Sequence, residues 1–179
     1  DNRGHVRIYD YNGSAWVQVG ADIDGEGAGD SSGFSVSISS DGKRVAIGAV
    51  YNDGNGSNSG HVRIYENTSG SMWTKLGSDI DGEAASDISG YGVSLSSDGS
   101  RVAIGAINND GNGSNSGHVR VFEYQVISGT ATWTQLGQDI DGEAESDESG
   151  SSISLSSDGS RVAIGAVAND GNGLSSGHV

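Results

Sequence analysis

Apolar and polar residues alternate along this chain in short bursts that return at a regular interval. In Gly33 to Ser39 (GFSVSIS), Val36 and Ile38 stand between Ser35, Ser37 and Ser39. That period of two sends alternate side chains to opposite faces of a strand. A few residues later, Arg44-Val-Ala-Ile-Gly-Ala49 is a second short apolar run, rich in β-branched residues. Asp41-Gly42 lies between the arms, and a glycine there accepts the positive φ that tight hairpin turns require. The stretch Gly33 to Ala49 recurs as Gly90 to Ala106 and as Gly150 to Ala166. Each copy therefore predicts a β-hairpin.

The rest of the chain repeats in step with this hairpin. Gly-His-Val begins at Gly4, Gly60, Gly117 and Gly177, at spacings of 56, 57 and 60 residues. The longest spacing comes from extra residues in Gln125 to Thr132, the behaviour of a surface turn. From Gly33, one unit reads as strand A (Phe34 to Ser39), strand B (Arg44 to Ala49), a polar loop, strand C (His61 to Glu66), a turn, and strand D (Trp73 to Gly77). A second polar loop, Asp79 to Asp87, leads to the next unit. No segment carries helical periodicity, so the expected fold is all-β. Four antiparallel strands in such a repeat are the size of a β-propeller blade, and an open stack of four-stranded sheets is the competing arrangement. The Ser-rich strand A suits the crowded centre of a propeller, with Trp16, Trp73 and Trp133 covering the outer edge. The frame gives residues 1–32 as strands C and D of a split blade plus linker, 33–89 and 90–149 as complete blades, and 150–179 as strands A and B plus the start of C. That is about three blades' worth, one of them split between the termini. Propellers typically close with four to eight blades. The missing contacts are therefore expected from further repeats of the same chain or from a second copy, head to tail.

Composition narrows the partners. Gly supplies 31 of 179 residues, Pro and Cys are absent, and the net charge is −15. The strict repeat argues against the disorder that a hydrophobic content of 33% would otherwise suggest. A nucleic-acid partner is excluded by the missing basic surface, and no apolar run approaches the roughly 18 residues of a membrane span. The absence of Cys removes disulfide and thiolate chemistry.

The Gly-Phe-Ser-Val-Ser-Ile, Asp-Gly and Arg-Val-Ala-Ile-Gly-Ala pattern resembles FG-GAP repeats, the blades of the integrin α-subunit head propeller. Gly33-Phe34 and Gly90-Tyr91 stand where that family has Phe-Gly. Gly48-Ala49, Gly105-Ala106 and Gly165-Ala166 stand where it has Gly-Ala-Pro, and Gly60-His-Val-Arg-Ile-Tyr65 is similar to its third strand. The proline is missing from every copy. Calcium-binding members carry Asp-x-Asp-x-Asp-Gly between strands A and B; here the turn is only Ser-Ser-Asp-Gly, so that site does not carry over. The resemblance implies extracellular adhesion or scaffolding; it does not imply catalysis.

Candidate chemistry lies instead in the loop from strand D to strand A. Asp-Ile-Asp-Gly-Glu-x-x-x-Asp places acids at positions 1, 3, 5 and 9: Asp22, Asp24, Glu26, Asp30; Asp79, Asp81, Glu83, Asp87; Asp139, Asp141, Glu143, Asp147. These are 12 of 24 acidic residues. Calcium takes six to eight hard oxygens, and those positions are among the ones an EF-hand loop uses. Against Ca2+, the glycine sits at position 4 and no bidentate Glu follows, so a solvated linker with Ile23, Ile80 and Ile140 packed inward is the rival reading. The loop from B to C offers Asp53, Asn55, Asp110, Asn112, Asp170 and Asn172, which turn chemistry also explains. His5, His61, His118 and His178 recur one per unit and read as structural hydrogen-bonding residues. Arg44, Arg101 and Arg161 read as partners of nearby acids. Asn12, Asn55, Asn67 and Asn112 fit the glycosylation sequon, which Asn/Ser-rich turns also produce by chance. No nucleophile and base travel together, and the loops are nearly interchangeable. The sequence thus points to a non-enzymatic, extracellular or cell-surface repeat protein that assembles through its ends. The other expectation is a fragment of a larger propeller that binds a protein or glycan ligand.

Overall fold

The computed structural model describes residues 1–179, and all its regular elements are strands; no helix is long and apolar enough to cross a membrane. The first unit supplies β1 (His5–Val6), β2 (Tyr9–Tyr11), β3 (Trp16–Gln18) and β4 (Ile23–Asp24), with β1 paired to β4 and β2 to β3. The next sheet comprises β5 (Ser32–Ile38), β6 (Arg44–Ala49), β7 (His61–Glu66), β8 (Thr74–Lys75) and β9 (Ile80–Asp81). Its counterpart comprises β10 (Ser89–Leu95), β11 (Arg101–Ala106), β12 (His118–Ile127), β13 (Thr130–Gln135) and β14 (Ile140–Asp141). A hairpin of β15 (Ser149–Leu155) and β16 (Val162–Ala166) follows. All ladders are antiparallel, and β5-β6-β7-β8 and β10-β11-β12-β13 follow chain order, as the alternating pattern and Asp-Gly turns require.

The fourth strand differs from its sequence reading. β8 and β9 both pair with β7, Lys75 opposite Tyr65 and Ile80 opposite Val62, with a break between them. Strand D is thus one interrupted strand that extends to Asp81. The first three positions of each acidic motif lie on or beside this strand. Ile80 opposite Val62 is buried in the core, and this burial outweighs the polar character that suggested a loop.

Successive sheets stack face to face, and the cores lie between them. One cluster joins Ala46, Val62, Ile64 and Ile80 of the second unit to Val93, Leu95, Val102, Ile104, Phe122 and Trp133 of the third. A smaller one joins Val6, Ile8 and Ile23 to Val45 and Ile47. Full burial of one such aliphatic side chain contributes about 1.5–3 kcal/mol. Polar groups of the Ser-rich strand cross the same seam: Leu95 N donates to Ser37 Oγ and Leu155 N to Ser94 Oγ, both at 2.9 Å. The tryptophans also reach across it. Trp73 Nε1 donates to Val19 O and Trp133 Nε1 to Leu76 O, each at 2.8 Å.

Glycine sets the distance between units. The ladder of β5 on β6 shifts register between Ser32 and Ser35, and Gly33 takes φ +89° in that bulge; Gly90 and Gly150 repeat it at +89° and +92°. The glycines of the first two Gly-Ala pairs, Gly48 and Gly105, then meet the bulge of the following unit. A Cβ on Gly48 would stand 2.2 Å from Gly90 O, and one on Gly105 2.2 Å from Gly150 O.

The series is open. No strand of β15–β16 pairs with the first unit. On β5, Val36 and Ile38 are 54% and 51% exposed, whereas their counterparts Val93 and Leu95 are 9% and 8% exposed. On β16, Ala163 is exposed and Val162 and Ile164 are half-buried, whereas Val102, Ala103 and Ile104 are buried.

Candidate functional site

Each acidic motif is divided among three environments. Position 9 is structural. Asp30, Asp87 and Asp147 are buried; each accepts the main-chain N–H of the residue three before it and the side-chain amide of Asn52, Asn109 or Asn169 at 2.8–3.0 Å. These bonds clip the acidic loop to the loop from the second strand to the third. The clip continues through Asn55 and Asn112, whose Nδ2 groups donate to Gly82 O and Glu83 O, and to Gly142 O and Glu143 O. The glycine at position 4 permits this approach, because a Cβ on Gly82 would lie 2.0 Å from Ser59 O.

Position 1 faces a polar or basic neighbour. Asp22 accepts from Arg7 Nε (2.9 Å) and Gln18 Nε2 (2.7 Å), which hold its carboxyl below the usual carboxylate range. Asp79 pairs with Lys75 Nζ at 2.8 Å and raises that ammonium's pKa. Asp139 accepts from Gln135 Nε2 at 2.6 Å. Position 3, Asp24, Asp81 and Asp141, is exposed. At position 5, Glu26 lies 3.1 Å from Arg63 and Glu83 3.4 Å from Arg120, while Glu143 is in no ion pair. The four carboxylates of one motif therefore do not converge, and they do not form the six- to eight-oxygen cage that calcium takes. The Ser-Ser-Asp-Gly turn is no better a cage. Asp98 accepts from Ser96 Oγ, Ser100 N and Ser100 Oγ, which hold its carboxyl down at about 2, and Asp158 behaves alike.

What does converge comes from two motifs and the strand between them. Donor atoms of Glu26, His61 and Asp79 lie within 4.8 Å of one another, and so do those of Glu83, His118 and Asp139. In the second set His118 Nδ1 is 3.9 Å from Glu83 Oε2 and 3.9 Å from Asp139 Oδ2. His61 and His118 are 2% and 1% exposed. Burial, and next the guanidinium of Arg63 or Arg120, push both imidazoles below their ordinary pKa and favour the neutral ring. The sequence reading of these histidines as hydrogen-bonding residues does not hold for His118, neither of whose ring nitrogens has a partner; in His61 Nε2 has none. Sequence could show that each unit carries a Glu, a His and an Asp. It could not show that Glu comes from one unit and the other two from the next.

The second set opens into an acidic cleft of about 510 Å3 lined by Glu83, Asp87, Asp110, Asp139 and Asp141, with asparagines and no Lys or Arg. In the loops from the second strand to the third, Asp53 and Asp110 accept main-chain N–H groups of Asn58 and Asn115 at 2.8 Å, the turn chemistry expected of those loops. Arg44 and Arg101 pair with Glu66 and Glu123 at 2.8 Å, whereas Arg161 has no such acid within reach. Of the sequons, Asn12 is exposed, Asn67 is buried, and Asn55 and Asn112 spend their amides on the loop clip.

The recurring contact, a Gly-Ala glycine seated on the Gly90-Tyr91 or Gly150-Ser151 bulge of the following unit, is what the repeated motif builds. Residues 19–65 match the FG-GAP repeat family. This FG-GAP repeat runs from the end of one fourth strand through the third strand of the next unit, so it spans the seam where Glu26 meets His61. Among solved structures, a candidate 6-phosphogluconolactonase from Bacteroides fragilis is similar, with a TM-score of 0.54 at 15% identity. The alignment covers 79% of this chain and 34% of that one, so the chain spans about a third of that structure's length. The likeness is one of fold, a β-propeller-like succession of antiparallel blades. No curated protein matches the chain.

Proposed function

We propose that this chain is a non-catalytic structural and adhesive repeat module that works outside the cell or at its surface and extends by the contact that already joins its units. The observation that carries this reading is the complementarity of its two open faces. Phe34, Val36 and Ile38 on β5 are 48–54% exposed, and within the chain the corresponding strand β10 lies against β6. The free hairpin β15–β16 offers the counterpart of that receiving surface. A second copy can therefore seat its β5 against β16 as β10 seats against β6, an association that gives a ring or a filament according to whether the rotation closes. The recurrence of each polar cluster in successive units supports a mechanical role rather than catalysis. An extracellular setting is supported by the FG-GAP repeat and its use in integrin α-subunit heads.

A second reading rests on the length relation to the solved propeller-like structure. Here further repeats of the same chain cover both faces, and the loops bind a protein or glycan ligand as part of a larger propeller. Sedimentation over a range of concentrations separates the two. Head-to-tail association gives a mass that rises with concentration, and Ile38→Asp, which places a charge on the exposed strand, holds the chain at its smallest species. A single, concentration-independent monomer mass for the unaltered chain would reject association and favour the larger propeller.

A further inference from the structure

We propose that Glu83, His118 and Asp139, and likewise Glu26, His61 and Asp79, each bind one divalent transition-metal ion of the zinc type at the seam between successive units. The acidic residues alone would not support this, since exposed carboxylates commonly face only water. The histidines do. His118 is 1% exposed, both its ring nitrogens lack a hydrogen-bond partner, and Nδ1 stands at equal distances of 3.9 Å from Glu83 Oε2 and Asp139 Oδ2. A buried polar atom left unpaired calls for an explanation such as an ion or water. A nitrogen and two carboxylate oxygens converging on one point supply that explanation.

Donor chemistry selects the kind of ion. Calcium takes oxygen ligands, whereas imidazole with carboxylates suits zinc and its first-row neighbours. In a tetrahedral zinc site with bonds of about 2.0–2.2 Å, neighbouring ligand atoms stand roughly 3.4 Å apart. The spacings of 3.9 Å in the second set need only a small inward turn of Glu83 and Asp139, whose side chains are 42% and 31% exposed. Water from the cleft completes the coordination. The surrounding groups orient the ligands as outer-shell partners do. Arg120 lies 3.4 Å from Glu83 Oε1, which leaves Oε2 toward the imidazole, and Gln135 bonds Asp139 Oδ1, which leaves Oδ2 toward it.

The two sites differ in one informative way. In the first, Lys75 occupies Asp79 at 2.8 Å, where Gln135 stands in the second. With Arg63 also present, two cationic groups face two carboxylates there, against one in the second set. The set at Glu83, His118 and Asp139 is accordingly the tighter site.

Zinc titration followed by calorimetry, with cobalt(II) as a visible-absorption reporter, tests this on the intact chain. Zinc is expected to bind in at least two classes, and calcium is not expected to compete. Asp139→Asn, a change at a partly exposed carboxylate, should weaken the tight class at least tenfold with the fold intact by circular dichroism. His118→Ala should remove one equivalent, and Lys75→Gln should tighten the weaker class. Absence of zinc binding at micromolar concentrations would overturn the proposal. So would a tight class unchanged in a folded Asp139→Asn chain, or a cobalt spectrum without nitrogen ligation.

Discussion

Gly105→Ala is expected to lower the free energy of unfolding by about 3 kcal/mol, although it adds a single methyl group. Gly105 lies on β11, where the sheet of the third unit meets the bulge of the fourth. Its Cβ would stand 2.2 Å from Gly150 O, 2.9 Å from Gly150 C and 3.0 Å from Gly150 Cα. All three are main-chain atoms held in a strand, so no rotamer change relieves the clash and the two sheets must separate. Separation strips packing from the seam where β10 and β11 lie against β15 and Gly92 faces Ile153, at a density where small gaps are felt. Urea unfolding of the variant measures the loss. A value within 0.5 kcal/mol of the unaltered chain would show that the units do not meet glycine on main chain.

Ile104→Ala is expected to cost about 2–5 kcal/mol, the range for emptying a closed aliphatic site. Ile104 is 1% exposed and belongs to the cluster with Val93, Leu95, Val102, Phe122 and Trp133. The same Val-Ala-Ile-Gly-Ala sequence places Ile164 on β16, where it is only half-buried. Ile164→Ala should cost less than half as much in the isolated chain, because less surface returns to water and the site can collapse. Paired denaturation curves make the comparison. Equal losses at both positions would contradict the claim that the core lies between units rather than within each hairpin.

Much of this fold was legible in the chain. Alternation in Ser35 to Ser39, the Asp41-Gly42 turn and the return of Arg-Val-Ala-Ile-Gly-Ala are local signals, and local signals suffice for antiparallel hairpins. The interrupted fourth strand was not legible, because Asp79-Ile80-Asp81 is short and two-thirds acidic; only the pairing of Ile80 with Val62 makes it a strand. The acidic motif was legible as a motif but not as a site. Asp87 looks like Asp81 in sequence, yet the amide of Asn109, from the following loop, buries one and leaves the other in water. The reading of His118 as a hydrogen-bonding residue fails for the same reason. Its surroundings come from two units at once, and a repeat read one unit at a time cannot show what lies across its boundary.

Head-to-tail extension is tested most directly by covalent capture, since the chain has no cysteine of its own. Within the chain, Ser37 meets Leu95 and Ser94 meets Leu155; the same step onward pairs Ser154 of one copy with Ile38 of the next. When Ser154→Cys and Ile38→Cys chains are mixed and treated with a short bifunctional thiol reagent, the expected product is a linked pair containing one of each, and the double variant should give a ladder. Linked pairs no more frequent in the mixture than in either variant alone would contradict the account.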